Sequence, residues 1–155
     1  MWIAPLKNMP LIPVDGHPGA FGTVRKHDIH TGVDLYCEDK AEVFAVEDGI
    51  VVFISPFTGD QAGSPWWNNT QAIGVLGASG VVVYGEVTSL VAVGDKVSGG
   101  QSIASVDQVL KKDKGRPVSM LHIELYNKIM EPVWWHHENS QPEGLLDPTD
   151  FLKKI

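Results

Sequence analysis

The chain has 155 residues, of which 43% are hydrophobic and 20% are charged, a composition typical of a globular protein rather than a disordered one. Its formal charge of −7 disfavours binding to nucleic acids or to anionic membranes, because both require a basic patch. The single cysteine, Cys37, excludes an internal disulfide, and no apolar run is long enough to cross a bilayer. We therefore expect one domain, residues 1–155, that folds on a hydrophobic core.

The first segment, residues 1–27, is predicted to be irregular, because four prolines and three glycines interrupt it. From Val33 onward, short apolar or alternating runs predict strands. Asp48-Gly49 predicts a hairpin between AEVFAV and GIVVFI, and the turn at residues 78–80 predicts another between TQAIGVLG and SGVVVYGEV. VAVGDKVSGGQSIASV predicts two more short strands.

The last third of the chain combines one strand with two long loops. Residues 107–118 are predicted to be an exposed loop, MLHIELY a strand, and residues 129–144 a second loop. The tail LLDPTDFLKKI predicts a short helix with Asp147 at its N-cap and Pro148 at its first position. Because no helical period persists for three turns, the sequence predicts an all-β fold: an antiparallel β-sheet or β-sandwich with long loops around a cleft.

Three side chains are candidate ligands of one metal ion. His30 and Asp34 stand four residues apart in HTGVD, and His122 lies in the strand MLHIELY. Two histidines and one carboxylate form a ligand set typical of catalytic zinc, which keeps one coordination position for water. Strand alternation places His122 on the face opposite Leu121 and Ile123, so its ring is free to point into a cleft. The alternative is that Asp34 binds backbone amides in a turn and that His122 faces solvent.

The order of the motifs resembles that of the lysostaphin-type zinc endopeptidases over residues 28–152. The matching segments are HTGVDLYC, AEVFAVEDGIVVFI, GVVVYGEV, VAVGDKVSGGQSIASV, SMLHIELY and LLDPTDFL. The resemblance implies one zinc ion bound by His30 and Asp34 of an HxxxD motif and by His122, the latter histidine of an HxH motif. It also implies the hydrolysis of peptide bonds, usually in peptidoglycan cross-links, so the expected partner is a peptidoglycan peptide or another peptide.

Two positions depart from the family pattern. Met120 replaces the first histidine of HxH, and a thioether neither carries a proton at neutral pH nor donates a hydrogen bond. Glu86 replaces the family's other catalytic histidine. Under one interpretation Glu86 is the general base, as a glutamate is in many zinc peptidases. Under the other, the chain has lost the reaction and remains a zinc-binding module with a binding or structural role, for example in a phage particle.

Further residues are predicted to contact the substrate. Tyr84 shares a strand face with Glu86, and Met120 shares one with His122, so both are expected in the cleft wall. Paired residues in the two long loops are candidates for stacking on the substrate or for donating a hydrogen bond to it: Trp66, Trp67, Trp134, Trp135, His136 and His137. The alternative is that these tryptophans bury their own loops and that the histidines lie on the surface.

The segment VAVGDKVSGGQSIASV also resembles the hairpins of lipoyl- and biotinyl-type carrier domains. The hairpin turns carry no lysine that could be lipoylated or biotinylated, which disfavours a lipoyl- or biotinyl-type carrier domain.

The first 16 residues lack the apolar stretch of a secretory signal. We therefore expect synthesis in a cytoplasm, with access to peptidoglycan through phage lysis or on a virion.

Overall fold

The computed structural model describes residues 1–155 and consists mainly of antiparallel strands, which confirms the predicted all-β fold class. The strands are β1 (Val33–Tyr36), β2 (Glu42–Phe44), β3 (Gly49–Thr58), β4 (Thr70–Gly77), β5 (Gly80–Ser89), β6 (Lys96–Val97), β7 (Ser102–Val106), β8 (Met120–Tyr126) and β9 (Leu145–Leu146). A 3-10 turn (Asp60–Ala62) follows β3, and one helix, α1 (Thr149–Lys153), ends the chain. No helix has the length and apolarity needed to span a membrane.

The strands form one sheet in the order β1-β8-β5-β4-β3-β6, with β7 joined to β5 and β2, and β9 joined to β8. Strand β8 therefore lies between β1 and β5. His122 of β8 is paired with Asp34 of β1 on one side and with Gly85 of β5 on the other. This row of the sheet brings together segments that are far apart in sequence, and it supports the candidate site.

The two faces of β1 and β8 bury different kinds of side chain. Val33, Leu35, Leu121 and Ile123 are fully buried in the main hydrophobic core. Asp34 and the even-numbered positions of β8 point to the opposite face, as alternation in a strand requires. A smaller apolar cluster covers that face farther along the sheet, formed by Ala72, Val81, Val83, Tyr126 and Leu145. The polar residues of the candidate site thus stand on a rigid sheet with a packed core beneath it.

One predicted hairpin is confirmed and the other is wrong. β4 and β5 pair directly across the turn at residues 78–79, as predicted. β2 does not pair with β3, however; β2 pairs with β7, and β3 pairs with β4 and β6. The reason is that Asp48 and Gly49 make contacts with other parts of the sheet instead of closing a tight turn. The Asp48 carboxylate accepts the Gly99 N–H at 2.7 Å. A β-carbon on Gly49 would lie 2.5 Å from the Leu76 carbonyl oxygen, so glycine allows β3 and β4 to pack closely.

Both ends of the chain are anchored to the sheet. Residues 1–27 form no named strand or helix, as predicted, yet Trp2 and Leu6 are buried in the main core. The terminal helix begins at Thr149, one residue later than expected. The Asp147 carboxylate still accepts the Thr149 N–H at 2.9 Å, so it satisfies one of the free amides at the helix start.

Candidate metal centre

The three candidate ligands meet at one point on the sheet. Asp34 Oδ1 lies 2.8 Å from His122 Nδ1 and 3.3 Å from His30 Nε2, and the two histidine nitrogens are 3.3 Å apart. All three side chains are buried. The structure therefore brings together, from distant parts of the sequence, the three side chains that the motif pattern singled out.

The spacing of these atoms fits a single metal ion. In a tetrahedral zinc site with bonds of about 2.1 Å, ligand atoms lie roughly 3.4 Å apart. Two of the three distances are 3.3 Å. The third distance, between His122 Nδ1 and Asp34 Oδ1, is shorter at 2.8 Å, which is the length of a hydrogen bond. Two imidazole nitrogens and one carboxylate oxygen are also a donor set that divalent transition metals accept.

Each histidine has its other ring nitrogen held by an acceptor. His30 Nδ1–H donates to the Ala20 carbonyl at 2.9 Å, and His122 Nε2–H donates to Glu124 Oε2 at 2.6 Å. With a proton held on this nitrogen, a metal ion would displace any proton on the other nitrogen and take its lone pair. The two rings therefore present opposite nitrogens, Nε2 of His30 and Nδ1 of His122, to the same point.

Asp34 is held in its ionised form. Its Oδ2 accepts a hydrogen bond from Arg25 Nη2 at 3.1 Å, while its backbone N–H donates to the Gly19 carbonyl. Burial disfavours the charged carboxylate, but hydrogen bonds from His122 and His30 outweigh burial and hold the pKa of Asp34 well below its usual range. The arrangement leaves Oδ1 for a metal ion and assigns Oδ2 to the arginine.

Glu124 is a residue of the site that the motifs did not single out. It is 1% exposed and accepts hydrogen bonds from Thr31 Oγ1 at 2.8 Å, from His122 Nε2 and from the Tyr126 hydroxyl at 2.5 Å. Burial opposes the imidazolium, but the hydrogen bonds to Asp34 and Glu124 outweigh it and raise the pKa of His122 to about 10. The signal was present in the sequence, because alternation along β8 puts residues 122 and 124 on one face.

We predict that Glu124→Gln weakens metal binding about 10–100-fold, the usual effect of losing a carboxylate that orients a histidine ligand. A glutamine offers one acceptor oxygen, so its NH2 group would face one of the three donors without an acceptor. Competition of the purified variant with a chelator of known affinity measures the change. Glu138→Gln, at an exposed position, is the matched control, and equal affinities of the two variants would contradict the prediction.

Glu86 reaches the site through a bulge in β5. The β4–β5 pairing steps from Gly85 to Val87, and Glu86 has a φ of 67°, a conformation that a residue with a side chain adopts at a cost. Its Oε2 is buried and has no hydrogen-bond partner. Burial raises the pKa of Glu86 to about 8, and the Asp34 carboxylate contributes in the same direction. The centre thus contains a carboxylic acid that exchanges its proton near neutral pH.

The raised pKa of Glu86 predicts a pH-dependent stability difference in metal-free protein. Between pH 4.5, its ordinary pKa, and about pH 8, the folded state keeps a proton that the unfolded state has released. The free energy of unfolding of the wild type therefore falls as pH rises through this window. Glu86→Gln removes the Glu86 contribution to this fall, so the variant should gain about 2–4 kcal/mol relative to wild type between pH 4.5 and pH 8. Denaturant unfolding in the presence of a chelator tests this, and a difference that does not change with pH would contradict it.

Close packing fixes the His122 ring from two sides. A β-carbon on Gly32 would lie 2.3 Å from the Ile123 carbonyl oxygen and 2.9 Å from the His122 ring, so only glycine fits there. The Phe57 ring lies on β3 with its centroid 5.2 Å from that of His122. These contacts leave His122 little freedom to rotate away from Asp34.

The structure corrects one predicted contact with the substrate. Tyr84 is fully buried in the main core, where its hydroxyl accepts the Val46 N–H at 2.9 Å, so its predicted place in the cleft wall is wrong. The bulge explains the error, since it breaks the alternation that placed Tyr84 and Glu86 on one face. Met120 is half-buried, and its contact with a substrate stays a prediction.

The tryptophans of the two long loops differ in exposure. Trp66 is 62% exposed and Trp134 is 57% exposed. Their neighbours Trp67 and Trp135 are half-buried, and Trp135 packs on Phe21 with ring centroids 5.8 Å apart. One tryptophan of each pair thus anchors its loop while the other faces solvent, and the roles of these residues in substrate binding stay predictions.

The two loop histidines also differ. His137 Nε2 lies 2.6 Å from the Arg25 carbonyl and 3.0 Å from the Asp28 carbonyl, so it ties its loop to the segment that leads to His30. His136 is exposed, and its ring centroid lies 6.1 Å from that of Trp134. Neither histidine belongs to the group of ligand atoms, and a role in substrate binding stays a prediction for both.

Comparison with known proteins places this geometry in context. The model of Peptidase family M23 matches residues 28–134. The catalytic domain of the antimicrobial peptidase lysostaphin from Staphylococcus simulans is similar in structure, with a TM-score of 0.57, 22% identity and 87% of each chain covered. A mutant catalytic domain of the prophage-encoded M23 protein EnpA from Enterococcus faecalis gives a TM-score of 0.55 and 19% identity, covering 88% of this chain and 93% of that one.

A third solved structure is similar over a smaller share of its own length. Csd3 from Helicobacter pylori gives a TM-score of 0.50 and 20% identity, covering 96% of this chain and 38% of that one. No significant match was found among curated protein sequences. At these identities, the three structural likenesses concern the fold alone.

Proposed function

Because the chain belongs to Peptidase family M23, as the order of its motifs indicated, we propose that it is a zinc-dependent endopeptidase with Glu86 as its general base. One observation carries the proposal. Three buried ligand atoms converge within 4.8 Å of one another, and a buried carboxylic acid with an unpartnered oxygen accompanies them. The unpartnered atom is Glu86 Oε2, and Glu86 stands outside the group of ligand atoms, so we assign it to proton transfer rather than to metal binding.

His30, Asp34 and His122 would hold the ion, which when bound supplies Lewis-acid polarisation and a lower pKa for water. Glu86 accepts a proton from the attacking water as the water oxygen bonds to the peptide carbonyl carbon. It then returns that proton to the amine nitrogen as the carbon–nitrogen bond breaks. A pKa of about 8 suits both steps, because a group that titrates near the working pH can take and give a proton.

Zinc is the metal we propose, on the strength of the donor set. Two imidazoles and one carboxylate with an open fourth position are a common arrangement in zinc peptidases. Manganese, iron, cobalt and nickel accept the same donors. Metal analysis of protein purified without added metal, followed by reloading with each ion in turn, identifies the ion that restores activity.

The proposed substrate is a peptide of the peptidoglycan cross-links. Support comes from the motif resemblance and from the membership of Peptidase family M23. The exposed Trp66 and Trp134 offer flat apolar surfaces on which a sugar or peptide can stack. A negatively charged protein would not gain affinity from phosphate-rich polymers, which favours recognition through peptide groups.

A direct test incubates the zinc-loaded protein with purified peptidoglycan and measures newly released amino groups. We expect release that stops when a chelator is added and resumes when zinc is restored. The wild type with a chelator is the matched control, because it differs only in metal content. Stoichiometric zinc without any release from several cross-link types would overturn the proposed activity.

That outcome would instead support a second candidate function, a metal-binding module without catalysis. The observation favouring it is Met120, which removes a proton-carrying side chain from the position two residues before His122. A module of this kind should still bind peptidoglycan, and sedimentation with purified cell walls would measure the binding. An active enzyme and an inert binder therefore give different results in the same pair of assays.

A further inference from the structure

Replacement of a histidine by Met120 removes a hydrogen-bond donor that the proposed reaction needs. When water attacks a peptide carbonyl, negative charge develops on the carbonyl oxygen, and a hydrogen-bond donor aimed at that oxygen stabilises the transition state. A thioether donates no hydrogen bond. A donor from elsewhere in the chain must fill this role if the site is active.

The strand pairing points to Tyr36. Tyr36 of β1 is the direct partner of Met120 in β8, in the same register that pairs Asp34 with His122. Because side chains alternate along a strand, Tyr36 lies on the same face as Asp34 and Met120 on the same face as His122. Partners in neighbouring antiparallel strands have β-carbons about 5 Å apart. The side chains of Tyr36 and Met120 therefore leave the sheet next to each other.

The hydroxyl of Tyr36 is near the centre and free to donate. The Tyr36 oxygen and the Asp34 β-carbon lie 3.1 Å and 3.3 Å from the point that a β-carbon on Gly19 would occupy. The His17 ring flanks the phenol, with centroids 5.8 Å apart. No hydrogen bond within the chain involves the Tyr36 hydroxyl, so its proton is available to a substrate.

The other two tyrosines use their hydroxyls within the protein. Tyr84 accepts a hydrogen bond from the Val46 N–H, and Tyr126 donates one to Glu124. Tyr36 therefore differs from both in having no partner for its hydroxyl inside the fold.

Two nitrogen atoms around the site, Arg25 Nη2 and His137 Nε2, already face acceptors. Arg25 Nη2 is shared between the Pro18 carbonyl and Asp34 Oδ2. His137 Nε2 faces the backbone carbonyls of Arg25 and Asp28. A donor that must leave an existing acceptor loses that hydrogen bond, so an uncommitted phenol has the advantage.

We propose that Tyr36 is a catalytic residue whose phenol donates a hydrogen bond to the carbonyl oxygen of the scissile peptide bond, in the role that Met120 cannot perform. The inference rests on the proposed peptidase function and extends it. The phenol keeps its proton throughout, so Tyr36 stabilises charge and takes no part in the proton transfers of Glu86.

The test compares zinc-loaded wild type with Tyr36→Phe, which keeps the ring and removes the hydroxyl. Loss of one such donor typically lowers kcat about 10²–10³-fold, and we expect a decrease of that size with KM nearly unchanged. A phosphinic peptide resembles the transition state, because its phosphorus is tetrahedral and carries a negatively charged oxygen in place of the carbonyl oxygen. This peptide should bind the variant about 10²-fold more weakly. A peptide that resists cleavage and keeps a planar carbonyl should bind both forms equally.

A second pair of variants examines the partnership across the strands. Met120→His should restore at least about tenfold of kcat in the Tyr36→Phe background and change the wild type by less. Tyr84→Phe is the control, because its phenol lies in the core; it should leave kcat intact even if the protein becomes less stable. Zinc content and thermal stability, measured for every variant, separate a catalytic effect from misfolding.

The outcomes distinguish this inference from the function on which it depends. Wild type that neither cleaves peptides nor binds the phosphinic peptide overturns both. Active wild type with an equally active Tyr36→Phe variant overturns the inference alone. So does a folded, zinc-loaded variant that binds the planar and tetrahedral ligands with the same loss of affinity, because Tyr36 would then serve general substrate binding.

Discussion

Replacing His30, Asp34 or His122 by alanine is expected to raise the dissociation constant for zinc by about 10²–10⁴-fold. The free energy of zinc binding at protein sites is about 10–16 kcal/mol, and loss of one ligand in three removes roughly a third of it. Each tenfold change corresponds to about 1.4 kcal/mol, which gives the stated range. The effect should be similar for all three variants, because the three atoms occupy equivalent positions around one point.

Metal content after exhaustive desalting, followed by chelator competition, measures this loss. His27→Ala is the matched control, since His27 is three residues from His30 but exposed and outside the group of ligand atoms. Wild type and His27→Ala should each retain about one zinc ion per chain. A wild type that holds no stoichiometric transition metal, or a His27→Ala variant as deficient as His30→Ala, would contradict the assignment.

In the metal-free protein, Asp34→Ala should lower the free energy of unfolding more than His30→Ala does. Asp34→Ala removes the carboxylate that faces His30, His122 and Arg25, so the buried His122 loses one of the two carboxylates that raise its pKa. Breaking a buried ion pair in this way costs about 3–5 kcal/mol. His30→Ala removes a ring whose Nδ1–H bonds to a backbone carbonyl and should cost less. Chemical denaturation with a chelator present gives this order independently of zinc.

The candidate metal centre was predictable because its residues lie in local motifs whose order along the chain resembles that of a known family. The segments HTGVD and MLHIELY contain His30, Asp34 and His122, the order of the other motifs supports them as candidate ligands, and the fold brings the three together. Glu124 was predictable in principle from alternation along β8, since it follows His122 by two residues. Its full burial and its three donors were not predictable, because they depend on tertiary packing.

The two errors have a common physical cause: a local pattern was overridden by strand geometry. Asp48-Gly49 has the composition of a tight turn, but the glycine is needed for close approach of β3 and β4. Tyr84 and Glu86 lie on the same face of the sheet only if β5 is a regular strand. A bulge of one residue reverses the face on which the following side chains lie, and the only signal of a bulge in VVVYGEV is Gly85, because a glycine inside a strand often marks one.

The bulge also motivates the second large prediction, that Glu86→Gln lowers kcat about 10²–10⁴-fold while zinc content stays at the wild-type value. Glutamine has nearly the same shape and tolerates the same burial, but it cannot accept the proton of the attacking water. Cleavage of a peptidoglycan peptide under single-turnover conditions, with zinc measured in the same samples, checks both parts. Glu138→Gln, at an exposed position, should cleave like the wild type.

Glu124 is the other buried glutamate beside the ligands that could compete for the role of base, and its surroundings argue against it. Its two oxygens are engaged by three donors, so protonation would break hydrogen bonds that orient His122. Glu86 has an unpartnered oxygen and a pKa raised to about 8, so it can change its protonation without such a loss. A Glu86→Gln variant that retains both zinc and the wild-type rate would remove Glu86 from the reaction and leave its strained backbone without a catalytic explanation.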